Sequence, residues 1–161
     1  MWWSRGEPAR VLLTGRNARR VVFGCMNLVT GYRLFLARQH QRAEDFQEFL
    51  YEVHRHYRGW HVTMLLDGDS SHTAKVSKAL ASQLQIRLLW LPKRAPELNP
   101  MDTLWGQAKD VISANKQYAG LDDQVELFIT HLNSLSNKEA LQTSGVLSKK
   151  FWLKRVLSKN F

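Results

Sequence analysis

Two aspartates occupy positions from which a carboxylate could do metal-dependent chemistry. Asp67 directly follows residues 60–66, a mostly apolar run bounded by turn formers and typical of a buried strand. Asp102 begins a helical pattern in which Asn99 suits the N-cap and Pro100 the first helical position. Carboxylates held on rigid elements at the rim of a sheet are ligands that Mg²⁺ prefers.

Each candidate also has a purely structural interpretation. Asp67 could be a turn former that bonds its own backbone two residues on, and Asp102 could simply stabilise its helix start. Asp69 is expected to be a solvated turn acid, and His72 is equally well explained as a surface residue at a helix start. The functional interpretation gains because the two aspartates bracket a predicted strand at 86–91, which should lie near the strand of Asp67.

The elements that must position these residues alternate between strand and helix patterns. Residues 1–18 are expected to form an irregular lead-in with a short strand candidate. The sequence then predicts strands at 19–28 and 32–37, joined by a tight turn at Thr30–Gly31, and a helix at 43–57. Buried strands are predicted at 60–66 and 86–91, with a helix at 73–84 between them. A further helix is predicted after Asn99, and an amphipathic helix from Leu121. This order predicts an α/β fold with parallel later strands, helices on the sheet faces and ligands beyond the carboxyl ends of the strands.

The composition favours a polyanionic partner. Twenty-three Lys and Arg residues against 14 Asp and Glu give a formal charge of +9, and cations that neutralise phosphates release condensed counterions. A basic protein without such a partner is the alternative. Cys25, the only cysteine, lies in an apolar run and is expected to be a small buried hydrophobe. With no signal-peptide pattern and no long apolar run, the bacterial cytoplasm and no membrane association are the expectation.

The two acidic segments together resemble a known family. Residues 65–72 (LLDGDSSH) and 91–105 (LPKRAPELNPMDTLW) are similar to the second and third acidic motifs of DDE/DDD transposases in the mariner-like superfamily of bacterial insertion sequences. The matching positions are Asp67, His72, Pro92, Pro96, Leu98, Asn99, Pro100, Asp102 and Trp105. Residues 21–34 resemble the family's second and third strands, and residues 145–153 a common insertion-sequence ending. The resemblance therefore covers nearly the whole chain.

The resemblance implies a fold and a chemistry. The fold is an RNase H-like mixed sheet with helices on both faces and an incomplete or missing first strand, in one catalytic domain over 1–161 without the family's N-terminal DNA-binding domain. Three carboxylates would bind two divalent metals, normally Mg²⁺ or alternatively Mn²⁺, for cleavage and strand transfer of DNA. By this comparison Asp67 bridges the metals and Asp102 completes one coordination sphere. His72 would lie near the metal site and contact a DNA phosphate, and Lys93 and Arg94 would face DNA.

The chain departs from the family pattern at the first of the three acids, for which it offers no matching residue. It is expected shortly before the Trp-x-x-x-Gly segment that Trp2 and Gly6 resemble, and Glu7, the only acid before Glu44, matches no ligand position. We therefore expect an incomplete two-metal site and a chain that does not cut DNA alone, from a decayed element, a misassigned start codon or a frame completed by an upstream product. The expected partners are transposon ends and target DNA, with a homodimer on DNA as an option. A non-catalytic DNA-binding remnant and an RNase H-like nuclease are the alternatives.

Overall fold

One five-stranded sheet organises the computed structural model, which describes residues 2–3, 20–114 and 120–157. The strands are β1 (Trp2–Trp3), β2 (Val21–Met26), β3 (Arg33–Arg38), β4 (Val62–Leu66) and β5 (Ile86–Trp90). Their order across the sheet is β3-β2-β1-β4-β5. β2 is antiparallel to β1 and β3, whereas β4 is parallel to β1 and β5. The predicted mixed sheet with parallel later strands is confirmed, and its central strand comes from the beginning of the chain.

Helices cover both faces of this sheet. They are α1 (Ala43–His56), α2 (Ser70–Thr73), α3 (Lys75–Gln83), α4 (Pro100–Ala114), α5 (Leu121–Ser134), α6 (Asn137–Thr143) and α7 (Lys154–Leu157), with a 3₁₀ turn at Pro96–Leu98. Nowhere in the described ranges is a helix both long and apolar enough to cross a membrane.

The strand β2 divides the core into two clusters because its side chains alternate between the sheet faces. Val22 and Met26 pack with α4 and α5, whereas Phe23 and Cys25 pack with α1 and α3. Both clusters are fully buried at this strand, which explains its almost entirely apolar sequence. Burial raises the pKa of the Cys25 thiol to about 12. The prediction that Cys25 is a small buried hydrophobe is confirmed.

The hairpin of β2 and β3 is confirmed, but the tight turn predicted at Thr30–Gly31 is wrong. The backbone N–H of Asn27 donates to the carbonyl of Tyr32 at 2.8 Å, so the loop spans residues 28–31. The side-chain oxygen of Asn27 accepts two backbone N–H groups inside the loop. This Asn side chain stabilises a wider turn than the dipeptide pattern indicates.

The helix predicted at 73–84 is confirmed as α3 (Lys75–Gln83), and a break at Ala74 separates it from the short helix α2. Ala74 has φ −54° and ψ 139°, an extended conformation that separates α2 from α3. The hydroxyl of Ser77 donates to the carbonyl of Ser71 at 2.8 Å across this break, which fastens the two helices together. Val76, in the first turn of α3, is exposed, whereas Leu80 one turn later is buried.

The prediction that Trp60 and Trp90 lie in buried strands is wrong. Trp60 precedes β4 and is 75% exposed, and Trp90 ends the edge strand β5 and is 40% exposed. The Lys78 ammonium lies 5.6 Å from the centre of the Trp90 ring. Trp105 belongs to the core, where it stacks on Phe128 with ring centres 5.5 Å apart.

Candidate active site

An open cleft lies at the carboxyl end of β4. It has a volume of about 260 Å³, and both Asp67 and Asp102 line it. Asp67 is the first residue after β4, and Asp102 lies in the first turn of α4. The segment that connects β5 to α4 contributes Lys93 and Arg94 to the same cleft. The structure therefore brings together two acids that are separated by residues 68–101 in the chain, and it places two cations beside them.

The start of α4 is rigidly held, and this fixes Asp102. The side chain of Asn99 accepts the backbone N–H of Met101 at 3.1 Å, and the Asn99 carbonyl accepts that of Asp102 at 3.1 Å. The predicted N-cap at Asn99 is confirmed. Asn99 and Met101 are both buried, so the first turn of α4 is anchored in the core while Asp102 is only half-buried.

The buried side chain of His72 contacts Asp67. The Nδ1 atom of His72 is 3.0 Å from Oδ1 of Asp67 and 3.3 Å from the Asp67 carbonyl oxygen. Because both of these oxygens accept, Nδ1 carries the proton and donates. The imidazole is 0% exposed and lies 4.5 Å, centre to centre, from the Phe46 ring.

The surface position considered for His72 is therefore wrong, since the side chain is buried against Phe46 and Asp67. A direct contact of His72 with DNA would require it to leave this position. Its contact with Asp67 instead allows His72 to orient the Asp67 carboxylate.

Asp69 was predicted to be a solvated turn acid, but it is the N-cap of α2. Its Oδ1 accepts the backbone N–H of Ser71 at 2.9 Å and the Ser71 hydroxyl at 2.7 Å, so Asp69 caps α2. The Oδ1 atom of Asp67 in turn accepts the Asp69 N–H at 3.2 Å. The Asp-x-Ser spacing is a capping signal that could have identified this role from the sequence. The turn-forming interpretation of Asp67 thus coexists with its position in the cleft.

A third metal ligand is absent from the described part of the chain. Residues 2–3, 20–114 and 120–157 contain no group of three or more His, Cys, Asp or Glu side chains that could hold a metal ion. Glu7 lies outside the described residues. The strand on which the resemblance places the first acid is β1, whose two described residues are Trp2 and Trp3.

A family model described as DDE superfamily endonuclease matches residues 1–124. The chain belongs to the DDE superfamily endonucleases. The match includes both acidic segments, and the resemblance to DDE transposases of insertion sequences is confirmed.

The chain is also similar to two relatives and to one solved structure. It is 32% identical over 107 residues to the uncharacterised protein y4pE/y4sA of Sinorhizobium fredii, covering 66% of this chain and 74% of that protein. It is 23% identical over 122 residues to the 39 kDa protein of insertion element IS630 from Shigella sonnei, covering 74% of this chain and 36% of that protein. The catalytic domain of Mos1 mariner transposase superimposes with a TM-score of 0.70 at 14% identity, covering 99% of this chain and 81% of that chain. The predicted RNase H-like fold is confirmed.

Proposed function

We propose that this DDE endonuclease is the catalytic domain of an insertion-sequence transposase, in which Asp67 and Asp102 supply carboxylates for metal-dependent cleavage and strand transfer of DNA. The observation that carries the proposal is that both acids line one open cleft at the carboxyl end of β4. In sheets of this kind, ligands collect at that edge.

The donor set of the cleft suits a hard divalent cation in part. Asp67 and Asp102 offer carboxylate oxygens from two rigid elements, and the open volume of about 260 Å³ leaves room for water and a phosphate. Mg²⁺ or Mn²⁺ bound there would activate water or a DNA 3′-hydroxyl for in-line attack on a phosphodiester. The Mos1 catalytic domain has been solved with Mg and with Mn. A third acid would come from outside the described residues.

DNA is the substrate class that the surroundings of the cleft favour. Lys93 and Arg94 line the cleft and are exposed, so their side chains can contact DNA phosphates without first leaving the protein interior. The net charge of +9 adds a long-range attraction for the same partner. Mos1 transposase has been solved in a paired-end complex with a left transposon end. We therefore assign Lys93 and Arg94 to contacts with the DNA backbone.

Calorimetric titration of the full chain with Mn²⁺ and Mg²⁺ tests the proposed role of the acids. We expect binding that weakens at least about tenfold in Asp67→Asn and in Asp102→Asn, because each loses one charged ligand. Asp110→Asn is the matched control, since Asp110 is an exposed acid on the same helix as Asp102. Binding that is equally strong in all three variants would contradict the assignment.

A non-catalytic DNA-binding module is the second candidate. Of the three acids that line the described cleft, Asp69 is engaged in capping α2. The described residues contain no group of three side chains that could hold a metal ion, which favours this candidate. The same titration separates the candidates. DNA affinity without Mn²⁺ binding at millimolar concentration would favour the module over the enzyme.

A further inference from the structure

The C-terminal segment 146–157 is a strongly basic surface that lies beyond the family match at 1–124. Lys149, Lys150, Lys154 and Arg155 are all exposed. No Asp or Glu follows Glu139 in the sequence, so the segment itself contains no acidic side chain.

The segment is fastened to the body of the protein rather than loosely attached. The partly buried side chains of Phe151, Leu153 and Leu157 pack against the core cluster that contains Trp105. Successive turns shape its backbone, with the N–H of Phe151 donating to Ser148 at 3.1 Å and that of Lys154 to Phe151 at 3.0 Å. The cations therefore stand on a defined scaffold.

The attachment point is the loop of the cleft. The indole N–H of Trp152 donates to the carbonyl of Leu98 at 3.0 Å. Leu98 lies between Pro96 and Asn99, both of which line the cleft. Lys150 is two residues from Trp152, so its Cα lies within about 7.6 Å of the Trp152 Cα.

The Trp152–Leu98 contact therefore attaches the basic segment to the loop that carries Lys93 and Arg94. Lys154 is as close to Trp152 along the chain as Lys150 is, on the other side. The loop between β5 and α4 contains one acid, the exposed Glu97, against these two rim cations and the four of the segment. The loop and the segment together carry an excess of positive charge, beside the three acids Asp67, Asp69 and Asp102 that line the cleft.

We propose that residues 148–155 form a phosphate-contacting surface for double-stranded DNA, which holds the duplex beside the cleft independently of its sequence. The proposal rests on the proposed function, because the cleft is where the DNA would be cut. Exposed lysines suit phosphates as point charges. A lipid surface is disfavoured because α7 has only four residues and offers no long amphipathic face.

The test uses the full chain, a fluorescent duplex of about 30 base pairs and a salt series. The variant Lys149→Gln/Lys150→Gln/Lys154→Gln is compared with Arg55→Gln/Arg58→Gln/Arg87→Gln, which removes the same charge. The three control arginines are exposed and lie at or near the end of α1 and the start of β5, the opposite end of the sheet from Asp67. Thermal melting verifies that both variants fold.

We expect the lysine variant to lose at least about tenfold in affinity near 0.1 M salt, and its slope of log K against log salt to shrink by about 2 to 3. The arginine variant should change the slope by less than about 1. Equal effects of the two variants, with steep salt dependence kept in the wild type, would overturn the proposed surface and leave the proposed function standing.

Two further outcomes distinguish the alternatives. A wild-type chain whose DNA affinity does not depend on salt would refute the surface and the proposed DNA substrate together. If the lysine variant instead loses only its binding to anionic phospholipid vesicles and keeps its DNA affinity, the surface binds lipid and the proposal is wrong.

Discussion

At the scale of single residues, the contact between His72 and Asp67 defines how the cleft is built. Nδ1 of His72 holds one carboxylate oxygen and the carbonyl oxygen of Asp67 at once. The side chain that would bind metal is thereby restrained in one orientation before any ligand arrives. Supporting contacts of this type typically change metal affinity by about 10- to 100-fold when removed.

Two substitutions of His72 separate its hydrogen bond from its packing. His72→Phe keeps an aromatic ring against Phe46 but removes the N–H, so we expect Mn²⁺ affinity to fall about tenfold or more. His72→Asn keeps an N–H donor near the Nδ1 position and should retain more of the affinity, although it loses ring packing and about 2 kcal/mol of stability. Calorimetry and urea unfolding measure the two effects. Wild-type Mn²⁺ affinity in His72→Phe would show that the contact does not orient Asp67.

Local signals in the sequence predicted the positions of the two acids but not the role of His72. A strand that ends in Asp67 and a proline-initiated helix that carries Asp102 are both short-range patterns. The burial of His72 depends on Phe46, which lies 26 positions earlier on α1 and cannot be paired with it from local spacing. The metal roles of Asp67 and Asp102 stay predictions until they are measured.

At the scale of elements, hydrogen bonds of Arg33 join the loop of the β2–β3 hairpin to the end of α5. The buried Arg33 donates to the carbonyl of Gly31 at 2.7 Å and to that of Leu135 at 2.5 Å, where α5 ends. A cation there meets the negative end of the α5 dipole. Burial lowers the pKa of the Arg33 guanidinium from its ordinary value.

Alanine substitutions at two glycines measure how tightly this loop packs. Gly31 and Gly145 both have φ +80°, so either substitution costs about 1 kcal/mol of backbone strain. A Cβ on Gly31 would lie 2.3 Å from the backbone oxygen of Asn137, whereas one on Gly145 would meet nothing within 4 Å. We expect Gly31→Ala to destabilise by a further 1 to 3 kcal/mol or so in urea unfolding. Equal losses in the two variants would show that the loop can move away from α6.

The elements themselves were predicted where a single pattern extends over many residues. The apolar stripe of α1 and the two strands of the hairpin, rich in β-branched and aromatic residues, were predicted correctly. The break at Ala74 and the edge position of β5 were not predicted, because each is set by tertiary packing. A run such as residues 86–91 has the same composition at the edge of a sheet as in its centre.

At the scale of the whole molecule, burial of Cys25 makes global stability sensitive to alkaline pH. The thiol has a pKa of about 12 in the folded chain against an ordinary value of 9.0, with burial as the main cause. Because the folded state disfavours the thiolate, the stability contribution is complete below pH 9.0 and is lost as pH rises from there towards 12. The slope over this window is about 1.4 kcal/mol per pH unit.

Comparison of the wild type with Cys25→Ala isolates this effect from that of other titrating groups. Between about pH 8 and about pH 10.5 we expect the wild type to lose about 2 kcal/mol more free energy of unfolding than the variant. Urea unfolding at both pH values provides the measurement. Parallel pH profiles of the two proteins would show that Cys25 ionises without unfolding.

The central place of β1 constrains how the chain can reach its folded state. Trp2 pairs with Met26 on one side and with Leu65 on the other, so β1 joins the two halves of the sheet. Its parallel neighbour lies more than sixty residues along the chain, and closing so long a loop costs entropy before any pairing is gained. Pairing between the two halves of the sheet therefore has to await synthesis of β4, and the hairpin of β2 and β3 can form well before it.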